Sequence, residues 1–184
     1  MKITTKQLVQ TALLLALCIV SQFFKGGGML FTIFITGAII NACIIICGLS
    51  CGLLCAVILS VVTPITAFFI SPSPVTSAIP AIIPCIMIGN ALLAFCVTLI
   101  YKKVSSPLGL PIGMFIGSFV KGTFMGITIS WLLIPAFLPE KLLPKMTTFQ
   151  LSFSLVQLAA AAMGCTYAFI VWIALKKYLN NNES

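Results

Sequence analysis

Residues 43–55 read CIIICGLSCGLLC. They sit inside a stretch with no charged residue from Lys25 to Lys102, a gap of 76 positions. Were residues 29–71 a single helix, it would be about 64 Å long, twice the hydrocarbon thickness of a bilayer. The stretch therefore folds back once. The best place is GLSCG, Gly48–Gly52, where two glycines and a serine permit a tight turn. The same stretch raises a second question, because Cys43, Cys47, Cys51 and Cys55 recur every four residues. Four such positions on one helix spread over about 18 Å of axis, whereas a tetrahedral zinc site gathers four sulfurs about 2.3 Å from one ion. The spacing matches no zinc-finger pattern, and the chain has no histidine. The cysteines read as small apolar residues that let helices approach. Metal or redox chemistry is the alternative.

Working outward, the rest of the chain has the same character. Of 184 residues, 61% are hydrophobic and 7% charged. A soluble domain is nearer half apolar and a quarter charged, so lipid is the solvent here. The ten basic residues are all lysine, the acids are Glu140 and Glu183, and the formal net charge is +8. In a soluble chain that excess would suggest nucleic acid. Here the lysines stand at segment ends, which excludes a nucleic-acid role and follows the membrane charge rule instead.

A helical span needs about 20 apolar residues. On that measure the chain predicts six transmembrane helices, at about 7–24, 29–47, 51–70, 80–100, 109–134 and 150–175, as one all-α domain over residues 1–184. The first resembles a signal peptide, but SQFFK follows it with no small-residue cleavage site, so it reads as a retained helix. Both termini are expected to be cytoplasmic. Lys2, Lys6, Lys102, Lys103, Lys176 and Lys177 then face inward, against Lys25, Lys141 and Lys145 outside. Tyr101, Trp131, Trp172 and Tyr178 fall near span ends, as interface anchors do. The outer connections are Lys25–Gly28, with a flexible Gly26–Gly28 joint, Ser71–Ile79, within the proline-rich SPSPVTSAIP, and Pro135–Phe149, which opens with PAFLPEKLLPK. The last reads as an ordered loop or short cap.

The informative residues are polar ones at membrane depth. Lys121 lies about 12 residues into the fifth helix, too deep to reach the interface by simple snorkelling, and no acid lies in any span to pair with it. A lone ammonium sealed among apolar side chains is costly. The expectation is a polar cavity into which Lys121 looks. Asn41 and Asn90 come to similar depth, with Thr36, Thr63 and Gln157 nearer the outer face. Together they sketch an outward-opening pocket lined by helices two to six, to which Pro64 and Pro84 could add freed carbonyls.

Motifs for chemistry are absent from the sequence. There is no GxxxxGK[ST], no HExxH, no paired carboxylate and no histidine partner for a serine or cysteine nucleophile. Membrane carboxylates or histidines that would couple transport to protons are also missing. The chain reads as a non-enzymatic binding subunit of a larger machine, without cofactor or metal. Ala12 and Ala16, four apart in ALLLA, offer a small-residue face to a partner helix.

These features resemble the substrate-binding S components of energy-coupling factor (ECF) transporters. The resemblance runs through KQLVQTALLLALCIV with its AxxxA, ITGAIINACIIICGLSCG, VVTPITAFF, IPCIMIGN and GSFVKGTFM, and covers nearly the whole chain. It implies a multi-pass protein of the prokaryotic plasma membrane that binds a vitamin or related micronutrient with high affinity from outside. It implies partnership, through Ala12 and Ala16, with a transmembrane coupling subunit and two cytoplasmic ATPases that energise uptake. The loop KGGGML would gate the pocket. Lys121 would offer charge to a carboxylate or phosphate, and Asn41, Asn90 and Gln157 hydrogen bonds. Phe24, Phe31 or Phe68 would supply an apolar wall. The competing readings are a structural transmembrane subunit of a redox or secretion complex without its own ligand, and a small stand-alone channel.

Overall fold

A computed structural model describes residues 3–24, 29–104, 106 and 108–182. The expected joint Gly26–Gly28, with Lys2, Lys25 and the side chain of Tyr178, lies outside the described residues. Within them the protein is all helical, without strands. Five segments are long and apolar enough to cross a membrane: Leu30–Ser50, Leu53–Ile70, Ile82–Lys103, Gly109–Phe137 and Glu140–Lys177. The first helix, α1 (Thr5–Ser21), is apolar but shorter, at 17 residues. Thr4 starts it with a reciprocal cap, its hydroxyl accepting from the Gln7 amide while the Gln7 side chain accepts from Thr4 N.

Helix α2 (Met29–Ser50) runs past Gly48, and α3 (Leu53–Ile70) begins after Gly52. The turn is thus narrower than the five residues expected. Gly52 alone carries it, with φ +94°, a conformation that costs glycine little. Gly48 has a different use. A Cβ there would stand 2.4 Å from the Thr98 hydroxyl, so its missing side chain lets α2 lie against α5 (Ile82–Lys103).

SPSPVTSAIP does not stay irregular. Ser73 caps a short helix, α4 (Pro74–Ala78), with Pro74 in the first turn, where its missing N–H costs nothing. The fifth expected span starts as α6 (Gly109–Met125) and then changes register to a π-helix over Gly126–Leu133. Pro135 leaves one carbonyl of this segment without a helical donor. In i→i+5 register the Ser130 carbonyl would accept from residue 135, which has no N–H. The Gln150 carboxamide donates to that carbonyl instead at 3.0 Å, and the Ser130 hydroxyl donates back to Gln150 O at 2.8 Å. A short α7 (Ile134–Phe137), a 3₁₀ turn over Glu140–Lys145 and α8 (Met146–Phe153) form the cap expected around PAFLPEKLLPK. The chain breaks at Ser154 and continues as α9 (Leu155–Asn182), so the sixth expected span is two helices rather than one.

Close contacts give the directions. Gly37 meets Ala160, and Gly164 meets Ala38 and Asn41, so α2 and α9 run parallel. Gly113 packs on Val97 and Ile100 and Gly117 on Leu93 and Val97, so α5 and α6 run antiparallel. Lys6, Lys102, Lys103, Lys176 and Lys177 consequently gather at one end of the bundle, and Lys141 and Lys145 at the other. At the lysine-rich end, Tyr101 and Trp172 stack edge to face with ring centroids 6.1 Å apart. Leu13, Phe69, Phe115, Phe119 and Trp131 are among many large apolar side chains turned outward. A water-facing surface rarely carries so much apolar area, and lipid requires it. The protein is a multi-pass membrane protein.

The cysteine ladder lies in a dense core between α1, α2, α3 and α5. Cys18, Cys43, Cys47, Cys51 and Cys55 are all buried there beside Ile44, Ala56 and Leu59. They are free thiols, and among the described residues no group of three or more ligating side chains converges. Cys47 sits 3.7 Å from the Thr11 hydroxyl and Cys51 donates to Gln10 Oε1 at 3.3 Å, which ties α1 to the hairpin.

Candidate functional site

At the opposite end from this core the helices part around a cavity of ≈ 430 Å³. Its walls come from the first half of α2 (Thr32, Ile33, Thr36, Gly37, Ile40), the second half of α3 (Thr63, Pro64, Ala67, Phe68) and the Ser71–Thr76 connection. Ile83, Ile86 and Asn90 of α5 and Phe153 and Gln157 complete it. The volume suits a small organic molecule, for which sites run roughly 300–1,000 Å³. The lining is mostly apolar, with hydroxyls and carboxamides set into it and no charged side chain among the described residues.

Four residues singled out from sequence thus meet on one cavity: Thr36, Thr63, Asn90 and Gln157. Phe68 and Pro64 join them, while Phe24 and Phe31 are exposed and Pro84 does not reach the lining. Lys121 and Asn41 differ from expectation. Neither lines the cavity. Lys121 is 2% exposed and Asn41 0%. The Lys121 ammonium donates to Asn41 Oδ1 at 2.5 Å and to Asn90 Oδ1 at 2.6 Å, behind the cavity floor. The physical reason is that two amide oxygens from neighbouring helices can satisfy a buried cation without water. Such charge-assisted bonds contribute about 1.5–3 kcal/mol each, enough to offset much of the cost of holding the amine there. Gly89 assists, since its bare Cα lets the Lys121 stem and Met125 lie against α5.

Gln22, not singled out from sequence, also borders the cavity. It caps the C-terminus of α1 and is 3% exposed. Its Nε2 donates to Thr63 O at 3.2 Å and to Thr66 Oγ1 at 3.1 Å, leaving its Oε1 without a protein partner. The Thr63 hydroxyl is likewise buried and unpartnered. Both atoms are sealed within the packing beside the cavity, and unpaired buried polar atoms are uncommon, since nearly all find a partner. A polar residue at a helix end carries no sequence signal of this kind, because its partners lie 41 and 44 positions away.

A second hollow lies beside the π-helix, lined by Ser130, Trp131, Pro135 and Gln150 among others. Its Ser130 and Gln150 are already bonded to each other, so those two offer a ligand less. Ala12 and Ala16 are exposed on α1, on a face with Leu8, Leu13 and Leu17. No protein-family model, curated protein or solved structure matches the chain.

Proposed function

We propose that this protein is a substrate-binding S component of an ECF-type importer, a non-enzymatic subunit that holds a vitamin or related micronutrient in the cavity bordered by Thr36, Thr63, Asn90 and Gln157. In this reading α1 is a sixth span, the lysine-rich end is cytoplasmic with both termini, and the membrane is the plasma membrane of a prokaryote. The ligand enters from the opposite side, and Ala12 and Ala16 meet a transmembrane coupling subunit served by two ATPases. The observation that carries it is the cavity itself. A bundle needing only to be structural gains nothing from an unfilled space lined partly by hydroxyl and carboxamide residues, since its helices would be stabilised by closure. The uncharged lining favours an uncharged ligand over the carboxylate or phosphate expected from Lys121.

Native mass spectrometry of the purified protein tests this. A small-molecule adduct is expected on the wild type and is lost in Ala67→Trp, which fills the cavity. No adduct, together with no thermal shift across a vitamin panel, refutes the reading. Capture of two ATPases through the wild type, and not through Ala12→Leu/Ala16→Leu, is the expected companion result.

A further inference from the structure

We infer that Lys121 is a positioning residue: it holds the Asn90 carboxamide with its N–H groups toward the cavity, so that the floor selects an uncharged ligand bearing a hydrogen-bond acceptor. This rests on the binding role proposed above.

The argument starts from donor inventory. An ammonium only donates, so any carboxamide beside it must turn its oxygen inward. Asn41 and Asn90 both do so, each accepting from Lys121 Nζ. Of the two, Asn90 alone borders the cavity. With its oxygen held, the group it presents to the cavity is Nδ2. That donor matches a carbonyl or a ring nitrogen, and a ligand offering only donors leaves it unpaired, which carries a penalty in a dry site. Asn41 reveals how firmly the cation sets the geometry. Its Nδ2 is buried with no partner, so its amide keeps its oxygen on Lys121 even though its nitrogen is orphaned. Charge-assisted bonds are roughly twice as strong as neutral ones, which accounts for that preference. The cation thus acts through Asn90 and does not touch the ligand.

Full-length protein in lipid nanodiscs tests this with two probes of similar size. 1-Methyl-2-quinolone carries an acceptor and no donor, and 2,3-dimethylindole carries a donor and no acceptor. The wild type is expected to bind the quinolone about tenfold tighter, the difference one well-made hydrogen bond supplies. Asn90→Asp keeps the bond to Lys121 but shows the cavity an acceptor oxygen, and should reverse the order. Lys121→Met should erase the preference.

A second readout needs no ligand. An ammonium on the amide oxygen polarises the C–N bond and deshields the NH₂ group. In ¹⁵N-asparagine-labelled protein the Asn90 NH₂ resonances should therefore move upfield in Lys121→Met. Equal binding of both probes by the wild type, or an unchanged ranking in Asn90→Asp, overturns the inference with the cavity reading intact. So does an Asn90 signal indifferent to Lys121→Met. If neither probe binds while that signal does respond, positioning by Lys121 is upheld and the binding role fails.

Discussion

One helix, α2, belongs to two different environments. Its second half, from Cys43 to Cys47, is packed into a core of thiols, alanine and branched apolar side chains. Its first half, from Thr32 to Ile40, faces a cavity with hydroxyls and amides on the wall. Asn41 stands at the border, bonded to Lys121. Both halves are apolar by composition. In the lower half cysteines and Ala56 let α1, α3 and α5 close on α2. In the upper half α2 still touches α9, at Gly37 and Ala160, while α3, α5 and the Ser71–Thr76 connection stand back from it around the cavity. A polar triad at the boundary keeps the two from merging, because an ammonium bonded to two amides fixes three helices at one depth.

The contrast breaks most severely at Gly164. A side chain there would meet Ala38 O and the Asn41 Cβ, each at 2.6 Å from the first added carbon. Gly164→Leu is expected to cost about 3 kcal/mol through overpacking, a fall of roughly 6–12 °C in the unfolding midpoint. A wild-type midpoint would mean that α2 and α9 do not approach as described. A middling effect is expected at the border. Asn41→Leu deprives the buried ammonium of one of its two acceptors and should cost about 2 kcal/mol, read in the same melt. A stabilised variant would show that the triad is dispensable. The smallest effect belongs to the closed half. Cys47→Ala should cost about 1 kcal/mol, the loss of one buried atom's packing. A strong chelator should leave the midpoint where it was, and a chelator-induced drop would return the cysteine ladder to metal chemistry.

Much of this was legible beforehand, for identifiable reasons. A 76-residue charge gap can only be membrane, and the helix boundaries near Gly52, Pro80 and Gly109 follow from turn chemistry that acts locally. The residues Thr36, Thr63, Asn90 and Gln157 could be grouped because depth follows from rise per residue. What stayed hidden depends on partners far along the chain. The Ser130 carbonyl in the π-helix takes its donor from Gln150, because Pro135 has none to give. The closure of Lys121 needs the azimuth of α2 and α5, which place both amide oxygens on it, and hydropathy says nothing about azimuth. Gly48 looked like part of a turn, and only its contact with Thr98 shows it to be a packing site.

Gln22 has one more implication. It is where α1 reaches the cavity wall, and both of its bonds run to α3. The carboxamide that borders the hollow is thus the one that fastens the first helix to its neighbour. The outward ridge of Ala12 and Ala16 rides on a helix whose far end is pinned at the cavity rim.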